Sequence, residues 1–302
     1  MVGKSLSFTF NDVKSYLDLI RFDKPAGTLL VFVPHAFGLT MAARATRIPP
    51  QEYLYWVGAF FLWAFVARSL ACTINDMCDH EYDRMVERTK GRPIASGKIS
   101  LFAAGVFLLL QVALFVGLVW TRDSILFYYR LAWLPLIFIY PLMKRVTSFP
   151  QAWLGIAMNW GALLAWTAVY GPLESNVMAP LMGGLWAWTM FYDTIYACQD
   201  HKDDIKIGIG SSAIALQNTL KPFLFMLSLI FISLLSYALR ASGHSIPLVV
   251  FTAVTAIGEM AWQIVNTNPA KPETCKRNLK RNADFGCVLW LGMAMDYIIS
   301  AP

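Results

Sequence analysis

Residues 53–84 read YLYWVGAFFLWAFVARSLACTINDMCDHEYDR. An apolar run over 53–74, interrupted only by Arg68, passes directly into a segment carrying Asp76, Asp79, Glu81 and Asp83. At about 1.5 Å per helical residue, that run spans the roughly 30 Å of a bilayer's hydrocarbon core. A helix that crosses a membrane and carries carboxylates at its aqueous end sets the fold class.

Working outward, nine runs of this kind occur, at about 25–43, 53–74, 101–120, 125–143, 151–170, 179–197, 221–239, 246–266 and 285–301. The composition agrees: 57% of the 302 residues are hydrophobic and only 15% charged. A soluble domain has roughly 45–50% apolar and about 25% charged residues. A disordered chain, a disulfide scaffold and an ordinary cytosolic enzyme are therefore poor readings. The expected fold is an all-α polytopic membrane protein, one domain over 1–302, with nine transmembrane helices around a central cavity open to the cytosolic side.

The net charge of +6 follows from the same topology and calls for no nucleic-acid partner. Nineteen of the 25 Lys and Arg residues lie before the first run or in alternate connections from there, counting Lys221 at the very start of the seventh run, which by the positive-inside rule puts those segments in the cytosol. Asp12, Asp18 and Asp23 precede the first apolar run, so neither a signal peptide nor a mitochondrial presequence is expected. The five cysteines show no CxxC spacing, and a disulfide or zinc role is not expected. His35, His80, His201 and His244 lack ligand-like spacing and read as loop or packing residues.

Both acidic clusters fall at cytosolic helix ends. In the first, Asn75, Asp79 and Asp83 stand at i, i+4 and i+8 on a helix continuing the second run. In the second, YDTIYACQDHKDD (192–204), Asp193, Asp200 and Asp204 stand at i, i+7 and i+11 with Tyr196 beside them. Stacked carboxylates repel unless a cation lies among them, and oxygen-only donors suit Mg²⁺ shared with substrate phosphates. One such cluster is an ordinary charged helix end about as often as a site. Two on the same face suggest a metal–diphosphate centre, where metal ions neutralise charge on a departing pyrophosphate. Asp193 lies about two turns deeper than Asp204, and an intramembrane carboxylate is a functional candidate by default. Most nearby basic residues satisfy topology alone; Arg88 and Arg145 are the better phosphate contacts.

At these residues the chain resembles the UbiA superfamily of intramembrane aromatic prenyltransferases. NDMCDHEYDRMVERTKGRPIASG (75–97) resembles the family's first signature, and YDTIYACQDHKDDIKIGIGSS (192–212) its second. RFDKPAGTLL (21–30) and YPLMKR (140–145) resemble two further family segments. The resemblance implies Mg²⁺-assisted loss of pyrophosphate from a prenyl diphosphate and alkylation of an aromatic acceptor by the allylic cation. Carried over by position, Asn75, Asp76, Asp79, Asp83, Asp200 and Asp204 would hold the metal, with Asp76 rotated by about 100° from the others' stripe. Arg88, Lys144 and Arg145 would steady the diphosphate or an acidic acceptor. Asp193, Tyr196 and Asp200 would lie nearest the chemistry.

The family usually has Lys where this chain has Gly210, and Lys206 would replace that charge or leave the phosphate grip weaker. Within the family, the chain most resembles the 4-hydroxybenzoate polyprenyltransferase branch, and its short N-terminus resembles fungal meroterpenoid members of secondary metabolism. That implies a farnesyl chain, a hydroxybenzoate or phenolic polyketide acceptor and, in a eukaryote, the endoplasmic reticulum membrane. A UbiA-like terpene cyclase and a cation-coupled transporter are the alternatives.

Overall fold

The computed structural model describes residues 10–201, 205–206, 208, 210–216 and 218–300. Among these residues every regular element is helical. A short α1 (Phe10–Leu19) leads to α2 (Pro25–Thr46), α3 (Pro50–Cys78) and α4 (His80–Met85). A chain of turns then reaches α5 (Leu101–Val119), α6 (Ser124–Leu131), α7 (Trp133–Val146), α8 (Pro150–Val169) and α9 (Ser175–Ala197). A 3₁₀ turn (Cys198–Asp200), a short α10 (Ser212–Ala215), α11 (Leu220–Ala241), α12 (Ile246–Asn266) and α13 (Pro272–Ile299) follow.

The helix starts are legible in the chain. Pro25, Pro50, Pro150 and Pro272 open their helices, where a missing N–H leaves no bond unmade. Ser100 and Ser245 cap α5 and α12 by accepting from Ala103 N and Leu248 N. The expected single run 125–143 is broken at Ala132 between α6 and α7. Pro135 explains the break, because it has no N–H to donate back to the Leu131 carbonyl.

Seven segments among the described residues are long and apolar enough to cross a membrane: α2, α3, α5, Leu126–Val146, α8, α11 and α12. The expectation of nine is therefore met by seven on both criteria. The other two, α9 and α13, have the length, at 23 and 28 residues. Asp193 in α9, and Asp284 and Asp296 in α13, lower their hydropathy. The last helix also begins at Pro272, well before the expected start near 285.

Helix α2 is the hub, packed against α3, α8 and α13. Its crossing with α8 brings backbones together: a Cβ on Gly38 would stand 2.2 Å from the Ala162 carbonyl oxygen, and one on Gly161 2.1 Å from the His35 ring. The buried His35 donates from Nδ1 to Val31 O (2.9 Å) and so serves packing. Two hydrophobic clusters flank this hub. One joins Phe37, Trp166, Trp188, Phe231 and Leu289; the other joins Phe60, Leu70, Phe115 and Trp133. A buried polar ladder sets the register of α9, α12 and α13. In it, Trp188 Nε1 donates to Asn282 Oδ1 (2.9 Å) and Asn282 Nδ2 to Gln263 Oε1 (2.8 Å).

Candidate functional site

The helix carrying the first acidic cluster does not run straight through it. It ends at Cys78, bends at Asp79 and restarts as α4, although Asp79 N and Asp83 N still donate four residues back. The expected stripe of Asn75, Asp79 and Asp83 is thereby divided. On one side, Lys144 at the end of α7 donates to Asp79 Oδ2 (2.8 Å) and Asn75 Oδ1 (3.4 Å). Arg145 lies 3.6 Å from Asp79 Oδ1, donates to Cys78 O (2.9 Å) and stacks over Tyr82 at 4.8 Å.

On the other side, Asp83 joins Asp76 through Arg92, whose NH1 donates to Asp83 Oδ2 (2.7 Å) and Asp76 Oδ1 (3.1 Å). At about 100° per residue, i and i+7 differ by only about 20°, so Asp83 returns to Asp76's face. Arg21 closes on Asp76 with a second, two-pronged pair at 2.6 and 3.1 Å. Burial pushes the Asp83 carboxyl above its ordinary pKa against the lowering pull of Arg92.

The second cluster also departs from an unbroken stripe. Helix α9 stops at Ala197 and tightens into the 3₁₀ turn that carries Asp200. Arg88, on the turns after α4, reaches across and donates to Asp200 from Nε (2.8 Å) and NH2 (2.6 Å). The same guanidinium lies 5.9 Å over the Tyr196 ring. Arg88 is also within electrostatic range of Asp83, so the two acidic clusters face one space. Asp193 lies deeper, within electrostatic range of Lys144, Arg68 and Asp200. Asp204 lies outside the described residues, and Lys206 is exposed on the segment beyond Asp200.

The substitution of Gly210 for the usual Lys has a steric counterpart. Gly210 N donates to Lys144 O (2.9 Å), and a Cβ at this position would stand 2.3 Å from the Thr147 carbonyl oxygen. The backbone itself docks here on the end of α7, beside the lysine that holds Asp79.

Three residues that the linear pattern does not mark reach the site. Arg21 and Arg92 bind Asp76. Arg68 in the middle of α3 has a buried Nε with no hydrogen-bond partner, within range of Tyr140 and Asp193. A charge inside an apolar run was the available signal for it. Glycine at 27 makes room for that side chain, since a Cβ there would lie 2.7 Å from Arg68 Nε.

Among the described residues, no three His, Cys, Asp or Glu side chains converge to cage a metal alone. The donors present are carboxylate and amide oxygens beside several cations. That set fits Mg²⁺ in the form it usually takes, bound by one or two carboxylates and completed by substrate phosphates and water.

A profile of the UbiA prenyltransferase family matches residues 31–284. The chain is 38% identical over 293 residues to the UbiA prenyltransferase claS of Ampulloclitocybe clavipes, covering 94% of this chain and 91% of that protein. It is 38% identical over 290 residues to the mitochondrial 4-hydroxybenzoate polyprenyltransferase of Bos taurus, covering 96% and 77%. Among solved structures, the apo UbiA homolog from Aeropyrum pernix K1 superposes with a TM-score of 0.72 at 19% identity, over 89% of this chain and 97% of that one. The Archaeoglobus fulgidus UbiA homolog bound to GPP and Mg²⁺ superposes with a TM-score of 0.64 at 16% identity, over 94% and 99%.

Proposed function

The chain belongs to the UbiA prenyltransferase family, and from that premise we propose that it transfers a farnesyl group from its diphosphate to a hydroxybenzoate or phenolic polyketide. It is a multi-pass membrane prenyltransferase, and family membership displaces the transporter reading. The fungal relative claS, itself a UbiA prenyltransferase and matched almost end to end, supports prenyl transfer as the reaction. The observation that carries the site assignment is the Arg88–Asp200 pair, which joins the segment after the first acidic cluster to the second.

In this reading, Asn75, Asp79, Asp83 and Asp200, with Asp204 beyond the described residues, would hold Mg²⁺ together with the diphosphate, and the ion would supply neutralisation of the charge developing on the departing pyrophosphate. Arg88, Lys144 and Arg145 turn from their carboxylates to the phosphate oxygens, with Lys206 at the rim. The C1–O bond of the prenyl diphosphate breaks, and an aromatic carbon of the acceptor attacks the allylic cation. The ring then loses its proton to Asp193, whose deep position keeps it away from the phosphates. The Tyr196 ring offers its π face to the cation. Arg68, with an unpartnered Nε at the back of the space, binds the acid group of the acceptor.

The basic residues concentrated on one side support a site on the cytosolic face, and the endoplasmic reticulum membrane is part of the same reading. The experiment is a panel of C10, C15 and C20 diphosphates against hydroxybenzoates and small phenolic polyketides, with products identified by mass. A farnesylated aromatic with equimolar pyrophosphate is expected. A cyclised hydrocarbon formed equally with and without acceptor would overturn the reading in favour of a terpene cyclase.

A further inference from the structure

We propose that Asp76 is a positioning residue rather than a metal ligand: through Arg92 and Arg21 it fixes the turns that carry Arg88, and so aims Arg88 into the space beside Asp200 where the diphosphate would bind. This rests on reading the site as a metal–diphosphate centre.

Asp76 is 1% exposed, and both its carboxylate oxygens are engaged. Oδ1 accepts from Arg21 NH2 (2.6 Å) and Arg92 NH1 (3.1 Å), and Oδ2 from Arg21 NH1 (3.1 Å). A cation at Asp76 would have to displace two guanidinium groups from a buried carboxylate, leaving both underpaired. Asp79 instead faces the ammonium of Lys144 beside Asn75, a cation able to turn to an incoming phosphate. The neighbouring acids Asp76 and Asp79 therefore do different work.

The path from Asp76 to Arg88 has little slack. Arg92 is followed and preceded by tight turns: Lys90 N donates to Val86 O (2.9 Å), Arg92 N to Thr89 O (2.9 Å) and Ser96 N to Arg92 O (2.8 Å). Thr89, next to Arg88, is 3% exposed and donates from Oγ1 to Asp83 O (3.0 Å). Beneath these turns, Ile94 and Ile99 pack with Leu19 and Ala104. Arg21 sits at φ 57°, a conformation that non-glycine residues hold only where surroundings enforce it. Its NH1 also donates to Leu19 O (2.7 Å), tying the end of α1 into the same block. Arg88 leaves this block four residues before Arg92, so a shift at Arg92 moves the fork that meets Asp200.

The test uses the full chain in lipid nanodiscs, with Mn²⁺ binding read by electron paramagnetic resonance in the presence of a non-ionising prenyl thiolodiphosphate. Steady-state kinetics are measured in parallel. Asp76→Asn is expected to keep Mn²⁺ affinity within about twofold while raising the prenyl diphosphate KM about tenfold. Arg88→Ala is expected to raise KM comparably, and the double variant no further, because both act through one contact. Loss of Mn²⁺ binding in Asp76→Asn, or effects that multiply in the double variant, would overturn the proposal. Arg92→Lys reads the same relay if Asp76→Asn fails to assemble: a raised KM with intact Mn²⁺ binding supports it, and an unchanged KM contradicts it. Failure of the unsubstituted protein to bind Mn²⁺ with the analogue would instead refute the metal–diphosphate reading itself.

Discussion

Arg88 and Asp200 stand 112 positions apart and are joined by two parallel hydrogen bonds of 2.8 and 2.6 Å. A planar guanidinium gripping both oxygens of a carboxylate is directional as well as charged. It brings the two acidic segments to one centre, and in the proposed reading it holds the guanidinium that would meet the diphosphate.

The fork, and not only the charge, therefore matters at 88. Arg88→Lys is expected to raise the prenyl diphosphate KM about threefold, with kcat changed less. Arg88→Ala should raise it further. Equal kinetics for Arg88→Lys and the unsubstituted enzyme would count against a phosphate role.

Asp79 and Asp200 each hold a cation now and are assigned to the metal–diphosphate centre. Asp79→Ala and Asp200→Ala are expected to lower turnover on the order of a hundredfold or more while the helical circular dichroism stays unchanged. Retention of near-normal turnover in either variant would remove that residue from the centre.

Gly27 leaves room for Arg68. A methyl group there would stand 2.7 Å from Arg68 Nε and push the side chain from its place. Gly27→Ala is expected to raise the acceptor KM several-fold, on the order of tenfold, and leave the prenyl diphosphate KM nearly unchanged. If only the diphosphate KM moved, Arg68 would belong to the other substrate.

Restoring the family's usual lysine at 210 should harm this protein rather than improve it. Any Cβ there meets the Thr147 carbonyl at 2.3 Å, a backbone atom that cannot swing aside as a side chain can. Gly210→Lys is expected to lower Tm by about 2–4 °C or more and to reduce activity. Thermal melting followed with an activity assay checks both. A more active, equally stable variant would show that this contact gives way easily.

Much of this architecture was legible because it is local. Apolar runs give their lengths directly, and the prolines at 25, 50, 150 and 272 mark helix starts without tertiary information. The acids of both motifs, Arg88 and Arg145 could be singled out because each sits at a helix end or within a few residues of one. What the linear pattern missed depends on distant partners. The bend at Asp79 moves Asp83 away from Asn75 and onto Arg92, beside Asp76. The 3₁₀ turn before Asp200 similarly breaks the spacing expected of a continuous helix. Arg21 and Arg92 resembled topology charges until their common partner, Asp76, became visible. Arg68 needed the opposite information: that no partner lies beside its Nε. Helices α9 and α13 were expected as spans from their apolar runs, and they have the length of a span without meeting the hydropathy that the other seven segments reach.

The most direct test of the central claim is metal-dependent turnover. Membranes containing the protein are supplied with labelled farnesyl diphosphate and a phenolic acceptor, and pyrophosphate and prenylated product are counted with Mg²⁺, with EDTA, and after Mg²⁺ is restored. The account predicts equal amounts of both products with Mg²⁺, neither with EDTA, and recovery on restoration. Undiminished turnover in EDTA would contradict it.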